Sequence, residues 1–180
     1  MPGSRRLLLV LPLALLASAA HAADPALAGH LQDLLGAYEE PPTSEDLKAA
    51  GPEAVGILRA FATDPSRPLA FRARAVHALG NFPDEANRAL LLGWAHDAAL
   101  PGIIRRRAIH ALANGWGDAE AAHIGAFLAD PDIDTRMTAA QALGRLSDAA
   151  RRPRLEQRLA VESNAAVKAV IVRALASEPE

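Results

Sequence analysis

Apolar residues recur along the chain in blocks of nearly constant length, and within each block they follow a helical spacing. Four leucines, at successive separations of 33, 31 and 32 residues, mark the register: Leu79, Leu112, Leu143 and Leu175. An alanine precedes each of these anchor leucines, and a basic residue lies seven positions before each of them. A repeat of this length with helical periodicity inside it is typical of stacked helical units.

A second apolar series precedes the first one in every block. Its members are Phe61, Trp94, Phe127 and Leu159, and each is followed three residues later by an acid. Two apolar segments per block, separated by turn-forming residues, predict helical hairpins. The predicted helices are 52–63, 70–81, 84–96, 103–113, 118–129, 134–146, 153–161 and 165–176. Three sites are placed to cap the following helix, namely Asp84, Asp118 and either Asp132 or Asp134.

The stretch DPDIDTRMTAAQALGRL (130–146) resembles the second helix of a HEAT-like repeat, whose pattern is roughly Asp-Pro-x-x-x-Val-Arg-x-x-Ala-x-x-Ala-Leu-Gly. FRARAVHALGNF (71–82) and IIRRRAIHALANG (103–115) are similar, although two more residues separate their acid from their arginine, and AVKAVIVRALAS (166–177) is the most degenerate copy. The resemblance covers about residues 52–176. It implies an all-α fold, an α-solenoid of about four HEAT-like helical hairpins with an N-terminal capping helix.

The segment before the repeats has a different pattern. Five apolar residues fall on one face of a predicted helix, and EEPPTSEDLK then interrupts the pattern; they are Leu27, Leu31, Leu34, Leu35 and Tyr38. Such a segment would cover the apolar edge of the first repeat. We therefore expect capping helices over residues 23–51, followed by the repeat solenoid over 52–180.

The first residues read MPGSRRLLLVLPLALLASAAHAADP. Arg5 and Arg6 form a short basic region, an apolar run follows, and Ala20-His21-Ala22 has the small-x-small form of a cleavage site. This arrangement predicts a secretory signal peptide over residues 1–22 and a mature chain that is periplasmic or secreted. Because the apolar run is short and contains Pro12, we expect no stable membrane insertion after cleavage.

Charge and cysteine content exclude several classes of function. The full chain carries 19 basic and 21 acidic residues; removing Arg5 and Arg6 leaves 17 basic ones and a net charge of about −4. This balance argues against general nucleic-acid binding. The chain has no cysteine, which excludes disulfides, thiolate zinc sites and covalent haem attachment.

The helical register separates inward from outward positions of each second helix. The basic residue seven positions before the anchor leucine falls only about 20° from it, and therefore points inward. A buried cation needs a carboxylate. We expect a ladder of ion pairs, within or between repeats, that joins Arg72, Arg105, Arg136 and Lys168 to Asp64, Asp97, Asp130 and Glu162.

The position two residues before the anchor leucine falls about 160° away from it, opposite the core. Neighbouring outward positions add arginines in the middle repeats. The resemblance to HEAT-like repeats implies that second helices line the concave surface of the solenoid. The candidate binding residues there are Arg74, His77, Arg106, Arg107, His110, Gln141 and Arg173. Solvated surface charge explains such a stripe equally well; as a binding groove, it would prefer anions and bind more strongly as the pH falls toward 6.

Catalytic and metal-binding patterns are weak in this sequence. His77 and His110 belong to neighbouring helices, whose axes lie about 8–10 Å apart, a wide spacing for two ligands of one ion. Some HEAT-like enzymes bind two irons through His-Glu pairs, but none of the six histidines is followed by glutamate. We therefore expect no metal site, no cofactor and no catalytic residues.

The sequence is compatible with three functions. The first is a non-catalytic protein-interaction scaffold of the bacterial cell envelope, whose concave face binds a protein partner; an acidic partner surface would suit the basic stripe. The second is a metal-dependent enzyme or a subunit of an enzyme complex. The third is a module that assembles with itself through its end repeats.

Overall fold

The structure is a computed structural model that describes residues 24–37 and 42–177. All regular elements in these residues are helical, and they form the expected all-α solenoid. Two helices precede the repeats: α1 (Pro25–Gly36) and α2 (Ser44–Ala49). The predicted signal peptide and Tyr38 lie outside the described residues.

Four helical hairpins follow α2, as the two apolar series predict. Their helices are α3 (Ala54–Thr63) and α4 (Leu69–Ala78), α5 (Glu85–His96) and α6 (Gly102–Trp116), α7 (Ala121–Ala126) and α8 (Ile133–Leu143), and α9 (Asp148–Val161) and α10 (Ala165–Ala176). Short 3-10 segments extend the ends of three of these helices: Leu79–Asn81, Gly117–Glu120 and Phe127–Ala129.

The hairpins stack so that α4, α6, α8 and α10 pack side by side in one layer. The core lies between this layer and the layer of first helices. The anchor leucines Leu79, Leu112 and Leu143 are completely buried, and the alanines before them are nearly so. Small residues at the contact let neighbouring helices approach closely, because little side-chain volume separates their backbones.

The α1 helix covers the N-terminal edge of this stack and contacts both α3 and α4. Leu31 and Leu35 are buried against the first hairpin, Leu47 of α2 is also buried, and Leu27 and Leu34 pack on the same core from its margin. This placement agrees with the apolar face expected for a capping helix.

Side-chain caps explain where several helices begin. The carboxylates of Asp84 and Asp132 accept hydrogen bonds from the backbone N–H groups of Asn87 and Thr135, at 2.7 and 3.0 Å. The expected cap at Asp118 is wrong. This residue lies within a 3-10 turn, and its carboxylate instead accepts a hydrogen bond from the backbone N–H of Ser147, in the next hairpin.

The α9 helix begins five residues earlier than the sequence pattern predicts. Ser147 caps it, and Pro153 therefore lies inside the helix, on its exposed side. Proline removes one backbone hydrogen bond there. The side chain of Arg151, which is buried, anchors the additional first turn through contacts described below.

No helix in residues 24–37 and 42–177 combines the length and the apolar character needed to cross a lipid bilayer.

Candidate functional site

The two repeated histidines meet on the surface formed by α4, α6, α8 and α10, which we call the second-helix face. The rings of His77 and His110 pack edge to face, with centroids 6.4 Å apart and planes at 87°. Both residues are half-buried, although the helical register predicts that they point away from the core. The alanine-rich neighbouring helices are close enough for each ring to shield the other.

Two arginines flank this histidine pair. Arg107 comes from α6 itself, and Arg145 follows α8. Burial lowers the pKa of His77 to about 4, and the positive charges of Arg107 and Arg145 add to this effect. The pKa of His110 also falls to about 4, through burial first and then through His77, Arg145 and Arg107. We call these four residues the cationic cluster.

The lowered pKa values correct the expected pH response. Both imidazoles of the cationic cluster are neutral at pH 6, so they carry no charge that would strengthen anion binding as the pH falls to that value. The Nδ1 atom of His77 is buried and has no hydrogen-bond partner among the described residues. The site therefore offers two neutral rings between two permanent cations.

Arg74 and Arg106 serve contacts within the protein instead of the cationic cluster. Arg74 donates hydrogen bonds to the backbone carbonyls of Leu35 and Ala37, at 2.8 and 3.3 Å, and thus joins α4 to the end of α1. Arg106 lies 3.4 Å from a carboxylate oxygen of Asp132, near the start of α8. The predicted basic stripe is therefore divided.

A hollow of about 410 Å³ adjoins the cationic cluster on the N-terminal side. Its lining combines apolar groups of the cap with basic groups of the second helices: Leu35, Ala37, Pro42, Leu47, Arg74, His77, Ala78 and Arg107. This hollow can receive an apolar side chain beside an anionic one.

Gln141 and Arg173 lie toward the other end of the second-helix face. They line a hollow of about 330 Å³ together with Arg145 and Val170. Thr138 and Val170, which occupy the repeat position of Arg107, are buried, so the basic stripe does not extend through them. Arg145 connects this hollow with the cationic cluster.

The expected ion-pair ladder forms only between the second and third hairpins and between the third and fourth hairpins. Arg105 pairs with Asp130 at 2.8 Å and Arg136 pairs with Glu162 at 3.0 Å, in each case across to the following repeat. Arg72 instead donates to the carbonyl of Ala62. Both pairs use an acid of the shorter turns, which lies six residues before the next base. Asp97, which belongs to a longer turn, forms no ion pair with Arg72 in the described structure.

Lys168 corrects the same expectation at the C-terminal end, because it is exposed instead of inward-facing. Among the described residues, no carboxylate lies within ion-pair distance of it. Its counterparts Arg105 and Arg136 find their acids in the hairpin that follows. The geometry of the ladder thus depends on a next repeat.

Sequence reasoning missed Arg145 and two buried charged residues. Arg145 stands two positions after the anchor Leu143, about 200° from it on the helical wheel, so the register already marked it as outward. Arg151 and Glu120 are fully buried. Glu120 accepts a hydrogen bond from Arg88 and lies 3.0 Å from Nδ1 of His123. Because no acid recurs at the repeat position of Glu120 and no base at that of Arg151, the periodicity could not reveal these two residues.

The described residues bring no three His, Asp or Glu side chains together in a geometry suited to a metal ion. The chemistry that the second-helix face offers is therefore that of its arginines, histidines and apolar hollows. Such groups recognise carboxylates through charge-assisted hydrogen bonds and adjacent apolar contact.

Comparison with known proteins identifies the repeats. Residues 99–176 match the family model of HEAT repeats. No curated protein matches the chain, and no solved structure matches it either. The matched residues include all of α6 through α10, and α3, α4 and α5 continue the same register. The hairpin helices from α6 to α10 are therefore identified as HEAT repeats.

Proposed function

We propose that this protein is a non-catalytic interaction scaffold, exported to the bacterial cell envelope, that binds a protein partner on its second-helix face. HEAT repeats are generally protein-interaction modules, and their family is typically non-enzymatic. The contact point that we propose is the cationic cluster, and the partner's contribution is an acidic segment.

One observation carries this proposal: two arginines act on the same half-buried histidine pair without a neutralising acid. In the part of the chain that the structure describes, no carboxylate pairs with Arg107 or Arg145, while most other arginines do have such partners. The chain as a whole has a net charge of −2. Uncompensated local positive charge on an acidic protein attracts an acidic ligand selectively.

The surroundings of the cluster favour a peptide over a free anion. Arginine forms bidentate, charge-assisted hydrogen bonds with a carboxylate, and Arg107 and Arg145 are exposed to such a ligand. The adjoining hollow offers Leu35 and Leu47 to a neighbouring apolar side chain. We therefore expect the partner to present an Asp or Glu next to an apolar residue.

The proposal is tested with three forms of residues 23–180 as affinity baits in a periplasmic extract. The first is the unchanged chain, the second carries Arg107→Glu and Arg145→Glu, and the third is a matched control with Arg152→Glu. Arg152 is an exposed arginine of α9 outside the second-helix face. We expect a partner that the first and third baits retain and the second loses.

The captured partner is then purified and its affinity for each form is measured at two salt concentrations. A loss of at least about tenfold in affinity with the second form alone, and weaker binding at high salt, would support the cationic cluster as the site. Equal affinity for all three forms would refute it.

Export is tested separately, because binding and localisation can fail independently. We expect protein from the periplasmic fraction or the medium to begin at Ala23, as cleavage after Ala22 requires. Changing Ala20 and Ala22 to phenylalanine should block this cleavage. Full-length protein in the cytoplasm, from the unchanged gene, would contradict export.

A further inference from the structure

Three positions of each second helix face the hairpin that follows. They are spaced four residues apart and therefore lie along one side of the helix. At the first, Arg105 and Arg136 pair with acids of the next repeat. At the second, Val76, Ile109 and Ala140 are completely buried. At the third, Gly80 and Gly144 lie against the alanines of the next second helix, Ala111 and Ala174.

The same three positions in α10 hold Lys168, Val172 and Ala176, which we call the terminal stripe. All three are exposed, and the exposed fraction of Val172 is 53% where its counterparts have none. The chemistry of the positions is nevertheless kept: a cation, an apolar residue and a small residue. The terminal stripe therefore retains the character of an interior interface, although no described residue covers it.

The N-terminal end of the solenoid is closed by the chain itself. Leu31 and Leu35 of α1 are buried there. Asp64, the first acid of the ladder series, lies 3.4 Å from Arg67 and accepts a hydrogen bond from Ser66. A second copy could therefore not offer this end to the terminal stripe without losing α1.

We propose that the terminal stripe docks a helical hairpin of a partner protein, which places an acidic residue against Lys168 and a small apolar helix face over Val172 and Ala176. The interfaces between the repeats indicate how such a hairpin would dock. The partner's acidic residue would occupy the position relative to Lys168 that Asp130 and Glu162 occupy relative to Arg105 and Arg136. Charge selects the occupant. The α10 helix carries Lys168 and Arg173 and no acid, so α10 of a second copy would bring like charges together.

This docking site is distinct from the cationic cluster and does not depend on ligand binding there. Its defined probe is a hairpin of known sequence, which replaces residues 177–180 at the end of the chain. Residues 145–177 are copied directly after Ala176, which gives a 32-residue spacing between Leu175 and the copied anchor, the spacing between Leu143 and Leu175. The copied Glu162 then stands where the proposed partner's acid would stand.

Amide hydrogen exchange of α10 measures docking of the appended hairpin. We expect exchange in residues 165–176 to slow by at least about tenfold relative to the unextended chain. Lys168→Glu in the extended chain should remove this protection, and changing the copied Glu162 to lysine as well should restore it. Val172→Glu should also remove it. Val161→Glu should not, because Val161 is 71% exposed at a position that is exposed in every repeat.

Unchanged exchange in α10 of the extended chain would overturn the proposal, as would protection that survives both Lys168→Glu and Val172→Glu. Sedimentation of the unextended chain tests whether a second copy of the chain occupies the terminal stripe instead. A dimer that Val172→Glu dissociates and Val161→Glu preserves would assign the terminal stripe to a second copy and would also overturn the proposal. A monomer would agree with it.

Discussion

Gly80, in the 3-10 turn that follows α4, lies directly against the backbone of Ala111 in α6. A Cβ atom added to Gly80 would stand 2.6 Å from the carbonyl oxygen of Ala111 and 2.9 Å from its Cα. Gly115 faces the same contact from the other helix, since its Cβ would stand 2.8 Å from the carbonyl oxygen of Gly80. The histidine pair sits on these two helices, so their separation also sets the geometry of the cationic cluster.

Gly80→Ala should therefore destabilise the protein by about 1–3 kcal/mol, because the methyl group meets backbone atoms that cannot rotate away. Urea unfolding followed by circular dichroism measures this change. Gly93→Ala is the matched control, since Gly93 is helical and exposed and its Cβ would meet nothing within 4 Å. Alanine has the higher helix propensity, so the control should be neutral or stabilised by up to about 1 kcal/mol. Equal stability of the two variants would contradict the close contact.

The fold could be predicted from the sequence because the same pattern of apolar positions occurs in four successive repeats. Leu79, Leu112 and Leu143 are buried as the register requires, and the helices lie within a few residues of their predicted bounds. The start of α9 was missed because Pro153 reads as a helix boundary, while the anchoring of Arg151 depends on carbonyls from other helices.

The site was predicted only in part, because a helical wheel gives a direction and no neighbours. It brought His77 and His110 to one face, as the structure does. It could not show that adjacent helices half-bury these rings, nor that Arg74 and Arg106 turn toward α1 and toward Asp132. Side-chain length and the spacing between helices decide those contacts, and neither is encoded in the period.

The histidine pair should make the protein less stable as the pH falls below neutrality. The pKa of both histidines is about 4 in the folded protein and about 6.5 in an unfolded chain, so the unfolded state binds more protons between these values. Lowering the pH from 7 to 5 should cost about 1–2 kcal/mol of stability for each histidine. Urea unfolding across this pH range measures the slope.

Replacing both His77 and His110 with glutamine should remove most of that slope. His30→Gln is the control for the His→Gln substitution itself, because His30 is exposed on α1, away from the histidine pair. If the double variant keeps the slope of the unchanged protein, the two rings are not shielded from solvent as the structure has them.

Arg151 should hold the last hairpin in place. Its side chain is fully buried, pairs with Asp148 at 2.6 Å and donates hydrogen bonds to the carbonyls of Gly144 and Ser177. Arg151→Met keeps much of the volume but leaves both carbonyls without a donor. We expect a loss of about 2–4 kcal/mol and faster amide exchange in α10.

Its neighbour provides the control for this prediction. Arg152 is exposed and forms only surface ion pairs with Asp148 and Glu156. Arg152→Met should therefore change stability by less than about 0.5 kcal/mol. Similar losses for both variants would mean that the buried contacts of Arg151 contribute nothing beyond its charge.

The stability of the interface between the last two repeats should depend on the charge of the Glu162 carboxylate. Burial alone would raise its pKa, but hydrogen bonds from the backbone of Asn164 and from Arg158 and Arg136 outweigh burial and lower the pKa to about 2. Because the folded pKa lies below the ordinary value of 4.5, its contribution to stability is complete above pH 4.5 and disappears as the pH falls toward 2.

Glu162→Gln should consequently cost about 2–4 kcal/mol at pH 7, since the amide leaves two partly buried arginines, Arg136 and Arg158, without their acid. Glu156→Gln, on the exposed side of α9, should cost less than about 0.5 kcal/mol. Urea unfolding at several pH values between 7 and 3 separates the loss of the carboxylate charge from any other effect of the substitution. The difference between Glu162→Gln and the unchanged protein should shrink steadily below pH 4.5, because protons then bind Glu162 in the unfolded form of the unchanged protein and stabilise that form, whereas the folded carboxylate keeps its charge down to about pH 2. A difference that stays constant down to pH 3 would show that charge at this position is not what joins the repeats.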